Sequence, residues 1–176
     1  MTDEELRKII TATLETQSKN AKFRTANRPD GVMAPPAPPA EIAELKKVLA
    51  KYRLVPPPSL LQLLGVCNGV RDYLQSQNVS LRSAKEIVSQ RPEDLQWWDE
   101  FEPIHEFVFA SGDTNTFVGF DRTRVDSRGE MPVVMITEQG DQFEYQDLED
   151  FLRTQLQMQE DYLAVNQKDR AGLADD

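Results

Sequence analysis

"VPPPSLLQLLGVCNGV", residues 55–70, sets three consecutive prolines before a leucine-rich run and closes it with Asn-Gly. Proline lacks an N–H and fixes φ, so it breaks a helix from inside but is tolerated in a first turn, where that N–H has no intrahelical partner. Pro56 and Pro57 therefore end one helix, and Pro58-Ser59 begin another. Leu60, Leu61, Leu63, Leu64, Val66 and Cys67 make the second helix apolar almost all round, which predicts burial. Asn68-Gly69 is expected to stop it, since glycine takes a left-handed C-cap conformation without steric cost. The stretch reads as a corner between two short helices, part of the scaffold rather than a ligand contact.

On the N-terminal side of this stretch, "EIAELKKVLAKYRL" puts Ile42, Leu45, Val48, Leu49 and Tyr52 on one stripe, which predicts an amphipathic helix leading into the corner. Before it, "APPAPPA" within residues 18–40 is expected to be an extended connector, a reading preferred to a ligand for an SH3-type domain. The chain opens with Leu6, Ile9, Ile10 and Leu14 at helical spacing and a Thr2/Glu5 capping pair, predicting a helix over residues 3–17. Ser83 and Glu86 form a second capping pair, opening a short helix to about residue 90.

From residue 105 the pattern changes to strands: "HEFVFAS", "TFVGFD", "PVVMIT" and "QFEYQ", joined by Gly-containing turns and one longer loop. A last helix follows, with Asp147 as N-cap and Leu148, Phe151, Leu152, Leu156, Tyr162 and Leu163 on one stripe. The fold class is α+β: an antiparallel β-meander of about four or more strands with helices packed on one face. The organisation expected is a helix and Pro-rich connector over residues 1–39, a main domain over 40–165 and a frayed tail over 166–176.

This order of pieces resembles the SUKH superfamily, which includes fungal regulators of cell-wall glucan synthesis and many bacterial immunity proteins. The matching pieces are Leu45 and Leu49, then Pro57 or Pro58 with Leu63, Leu64, Asn68 and Gly69. They continue with Gly112-Asp113, Phe117 to Asp121, Pro132-Val133-Val134, and Leu148 with Phe151-Leu152. The resemblance spans about residues 40–155; the tripled proline, a closing helix without a Ser-Phe start, and residues 1–40 depart from it. It implies a non-enzymatic protein-binding module, foremost a bacterial immunity protein that occludes a toxin, with a regulatory scaffold in signalling or envelope synthesis as the alternative.

Composition narrows the chemistry. The 176 residues carry a net charge of −10, which disfavours a nucleic-acid partner. Residues 1–40 hold six Lys/Arg and five Asp/Glu, so the negative charge belongs to the remainder. Such a body steers a basic partner towards itself, or serves solubility alone. No segment is apolar for long enough to cross a membrane, the acidic start is unlike a secretory signal, and a cytoplasmic protein is expected. An export route that needs no cleavable signal stays open.

Cys67, the single cysteine, lies among leucines and is expected to be a buried, inert thiol. With one histidine, His105, no His-based metal cluster arises, and a Cys-His dyad would need both residues to meet in an open cleft. No phosphate-cradling glycine loop is present, so neither cofactor nor metal is expected. Asp113, Asp121 and Asp126 flank successive turns; turn chemistry is preferred to a hydrolytic carboxylate site.

Two segments hold six carboxylates each and neither Lys nor Arg: Glu93 to Glu106 and Glu138 to Asp150. Each is a candidate surface for a basic protein partner, or a solvated face. The first carries both tryptophans, and adjacent residues cannot face one core equally well, so one of Trp97 and Trp98 is expected to be partly exposed. The candidate partner-binding residues are Trp97, Trp98, Asp99, Glu100, Glu102, Asp113 and Asp121.

Overall fold

The computed structural model describes residues 1–23, 31–51, 53–74, 79–89, 107–112, 116–137 and 139–172, with side chains to residue 168. Five helices and a seven-stranded antiparallel sheet appear among the described residues, with the helices on one side of the sheet. The α+β expectation holds.

Helix α1 spans Asp3–Ala21, and its N-terminus shows the full capping box: Thr2 and Glu5 each accept the other's backbone N–H. Leu6 and Ile10 are fully buried in the same core as the sheet, and the helix packs against α5, Leu148–Gly172. Its seam with α5 and the sheet is polar: Asn20 Nδ2 donates to the Gln159 carbonyl (3.0 Å), and Gln17 Nε2 to the Tyr73 carbonyl.

The connector is likewise held to the body. Ala37 N–H donates to Leu64 (2.8 Å), Ala34 N–H to Gly69 (3.0 Å), and Asn68 N–H to Pro35 (2.9 Å). Val32–Met33 forms a short strand, β1, at one sheet edge. Composition separates residues 1–39 from the main domain, but packing joins α1 and this strand to it.

Helix α2 runs over Pro39–Lys51 and α3 over Pro58–Val66. Between them Arg53 has φ 60°, and the Arg53 and Leu54 N–H groups donate to Ala50 and Leu49. These are the two hydrogen bonds of a Schellman helix end, with arginine where glycine is usual. Pro57 is the N-cap of α3 and offers no side-chain acceptor. That role falls to Glu130, whose carboxylate accepts from Ser59 N–H (3.0 Å) and Ser59 Oγ (2.7 Å).

The helix stop differs from the expectation. Cys67 caps α3 in an extended conformation (φ −151°), and the left-handed glycine comes two residues later, at Gly69 with φ 101°. Gly69 answers a close approach: a Cβ there would stand 3.1 Å from both Leu81 O and Ser83 N. Asn68 ties the corner together, donating to Glu41 Oε2 (2.8 Å) and accepting from Ala84 N–H (2.8 Å). Cys67 itself is fully buried, and desolvation pushes its thiol up to about 11, which keeps it unreactive.

The sheet runs in chain order: β1, β2 (Val70–Leu74), β3 (Val79–Leu81), β4 (Val108–Gly112), β5 (Phe117–Phe120), β6 (Val133–Ile136) and β7 (Gln142–Tyr145). The last four are the expected meander; the first three extend it. Helix α4, Ala84–Ser89, follows β3 and carries the expected Ser83/Glu86 capping box.

On the helix side, α5 docks through Phe151, edge-on to Phe109 (5.9 Å) and to Tyr145 (5.1 Å). Asp147 caps α5 as expected, accepting from Asp150 N–H (2.9 Å). The helix continues to Gly172, past the point where fraying is expected. The opposite face of the sheet carries a smaller apolar cluster of Val108, Phe117, Val134 and Ile136.

Candidate functional site

Of the partner-binding candidates, Trp97, Trp98, Asp99, Glu100, Glu102 and Asp113 lie outside the described residues, as does the segment Glu93 to Glu106. Asp121 lies within them, at the end of β5. Its side chain is 8% exposed and accepts from Thr123 N–H (2.9 Å), Thr123 Oγ1 (2.6 Å) and Arg124 Nε (2.6 Å). Burial pushes this carboxyl up, but the Thr123 hydrogen bonds and the Arg124 guanidinium outweigh it and hold it below the ordinary aspartate value.

Asp126 is engaged in the same way. Its oxygens accept from Arg128 N–H (2.7 Å), Glu130 N–H (3.0 Å) and Arg128 Nε (3.0 Å). Both aspartates spend their lone pairs on shaping the loop between β5 and β6, as Asx turns do.

Asp121 also acts at a distance. Arg124, fixed by Asp121, reaches across to Glu144 Oε2 (2.9 Å) on β7. The ion pairs Asp121–Arg124–Glu144 thus brace the loop against the last strand. Arg124 is about half exposed and Glu144 more so, so the brace orients side chains more than it adds stability.

Strand β7 is where the acidic segment Glu138 to Asp150 meets the surface. It pairs with β6 through the register Val133↔Tyr145, Val134↔Glu144, Met135↔Phe143 and Ile136↔Gln142. Among the described residues no strand pairs with its other side, so it offers a row of backbone N–H and C=O groups. Alternation sets what each face carries. Tyr145 points to the helix side, where its hydroxyl accepts from Gln155 Nε2 (3.1 Å), while Glu144 faces the other way towards Arg124.

Phe143 shares the helix-side face with Tyr145 and ends the cross-strand row Leu81–Ala110–Val118–Met135–Phe143. The first four members are buried, whereas Phe143 is 46% exposed. A large aromatic is therefore left half uncovered at the sheet margin. Carboxylates surround it in sequence: Asp141 is exposed just before the strand, Glu144 is exposed on it, and Asp150 is exposed in the first turn of α5. Glu149 pairs with Arg153 (2.8 Å) one turn on.

The result is an edge strand with unpaired backbone, an aromatic anchor and a negative field. An exposed edge of this kind can accept an added strand. Charge counting along the sequence finds the acidic segment but not Phe143. Its exposure arises because α5 begins only at Leu148 and covers Tyr145 and not the residues before it. A signal was present in "DQFEYQDLED", a large aromatic flanked by carboxylates in the final strand. No family model matches the chain, and no curated protein matches it.

Proposed function

We propose that this chain is a non-enzymatic binding module that neutralises a basic protein, foremost a toxin domain, by lying across its working surface. The half-exposed Phe143 on the acidic, unpaired edge of β7 carries this reading, because aromatic anchors inside a charged rim are what binding energy concentrates on. The SUKH resemblance of residues 40–155 supplies the biological setting, that of an immunity protein. Net charge of −10 supports rapid, steered association with a cationic partner.

Mechanistically the module needs no reacting group. Phe143 enters an apolar pocket on the partner, a partner strand adds to the β7 edge, and Asp141 and Asp150 meet Lys or Arg side chains, while Glu144, on the other face and paired with Arg124, adds to the negative field. Asp121 is then a positioning residue, holding Arg124 and through it Glu144.

Co-expression with the product of a neighbouring gene tests the reading. The wild-type chain is expected to bind that product and protect cells from it. Phe143→Ser is expected to weaken binding by about tenfold or more while leaving the fold intact, since the ring is half exposed already. Failure to bind or protect against any neighbouring product overturns the proposal.

A further inference from the structure

A second surface has the opposite electrostatics. The α2–α3 corner and the β5–β6 loop enclose a cleft of about 530 Å³ lined in part by Pro56, Pro58, Leu61 and Met131. Its lip carries Val55, 76% exposed, and Val125, 52% exposed, two aliphatic side chains left in water beside each other's loops. Around them stand Arg53, Arg122 and Arg128; among the described residues no carboxylate lines the cleft itself, and Asp126 beside it pairs with Arg128 (3.0 Å). In a chain of thirty acidic and twenty basic residues, three arginines at one cleft run against the overall charge.

Two features show that the rim is built. Arg128 is held by Asp126, itself fixed by the loop's own N–H groups, so the guanidinium is presented on an ordered turn. Arg53 occupies a left-handed position at the end of α2, φ 60°, where glycine is the favoured residue. The helix end thereby projects an exposed arginine side chain at the mouth of the cleft.

We infer that this cleft binds a peptide segment of a partner protein in which acidic and apolar side chains adjoin. The apolar residue enters between Val55 and Val125, and a carboxylate is clamped by Arg53, with Arg128 beside it; arginine's planar fork suits a carboxylate better than lysine's point charge. The cleft's volume fits one or two side chains rather than a folded surface. Its lining shares no residue with β7, and its chemistry is complementary to that edge: one face takes a basic partner, the other an acidic segment.

The test is selection of random dodecapeptides, displayed on phage, against the full chain. Enriched peptides are expected to join Asp or Glu to Leu, Phe or Trp. Their affinity is expected to fall about tenfold or more in both Arg53→Glu and Val125→Asp, with melting temperatures kept near wild type. Phe143→Ser is expected to leave this binding unchanged, which separates it from the β7 edge. No enrichment, enrichment of basic or uncharged peptides, or a smaller loss in well-folded variants overturns the inference. So does Arg53-dependent binding of dodecanoate without any peptide, which would assign the cleft to a small anionic amphiphile.

Discussion

Glu130→Ala removes the side-chain cap of α3. Helix N-termini leave backbone N–H groups without partners, and here the N-cap is Pro57, whose side chain accepts nothing. The Glu130 carboxylate takes its place from seventy-one residues away, at 3.0 Å from Ser59 N and 2.7 Å from Ser59 Oγ. Hydrogen bonds to a charged group contribute roughly 1.5–3 kcal/mol, and a negative charge at a helix N-terminus roughly 0.3–1 kcal/mol more. Glu130 is partly exposed, which lowers both figures, so the loss on Glu130→Ala is about 2 kcal/mol. For a domain of this size that corresponds to a fall in Tm of roughly 4–8 °C.

Glu130→Gln keeps an acceptor without the charge and should cost about half as much, ~1 kcal/mol. The assay is urea denaturation followed by circular dichroism, with Ser59→Ala and the double variant completing a cycle. A coupling energy of about 1 kcal/mol between the two sites is expected. A loss below about 0.5 kcal/mol for Glu130→Ala, or identical losses for Ala and Gln, would refute the capping role.

Other outcomes rest on the same geometry. Arg53→Gly relieves a left-handed arginine and should raise stability by about 1 kcal/mol in urea denaturation, while weakening the acidic peptides selected by the cleft. Gly69→Ala puts a Cβ 3.1 Å from two backbone atoms at a positive φ and should cost ~2 kcal/mol or more, read as a lower urea midpoint. Ile10→Ala should cost about 2–5 kcal/mol by the same measurement, because α1 belongs to the main core. Asp121 has a native carboxyl held below its unfolded value, so the unfolded chain binds more protons in the acid range. Its contribution is therefore fully present above the ordinary aspartate pKa and is lost as pH falls below that value and through the native one. Asp121→Asn should lower stability at neutral pH and flatten the acid limb of a stability-against-pH curve; an unchanged acid limb contradicts the assignment.

Local rules made much of this fold legible. Both capping boxes, the proline-led start of α3, the Asp147 cap and the last four strands follow from turn chemistry and side-chain period. The first three strands do not, for physical reasons. β1 has two residues and β3 three, too few to show alternation. β2 reads "VRDYL" and is interrupted by Asp72 at φ 52°, whose N–H turns to Ser80 Oγ (2.9 Å), so its pattern is broken by a bulge. Gly69 was legible as a left-handed position, but its reason, the backbone of Leu81 to Ser83 passing close by, is a tertiary fact.

The two surfaces show the same limit. Acidic spacing marks the segment around β7, yet the half-exposed ring of Phe143 depends on where α5 starts. The arginine cleft joins residues 53–61 to 122–131, and no local pattern links those segments. The corner "VPPPSLL" is thus both scaffold and wall: Leu60 fills the core, while Val55, Pro56, Pro58 and Leu61 line the cleft.

The most direct measurement is calorimetric titration of the chain against the basic product of a neighbouring gene, at low and at physiological salt, with wild type, Phe143→Ser and Glu144→Lys compared. Binding through the β7 edge predicts tight wild-type association that weakens with salt, and a loss of about tenfold or more in each variant at unchanged melting temperature. Equal affinity in all three chains, or affinity indifferent to salt, would contradict it.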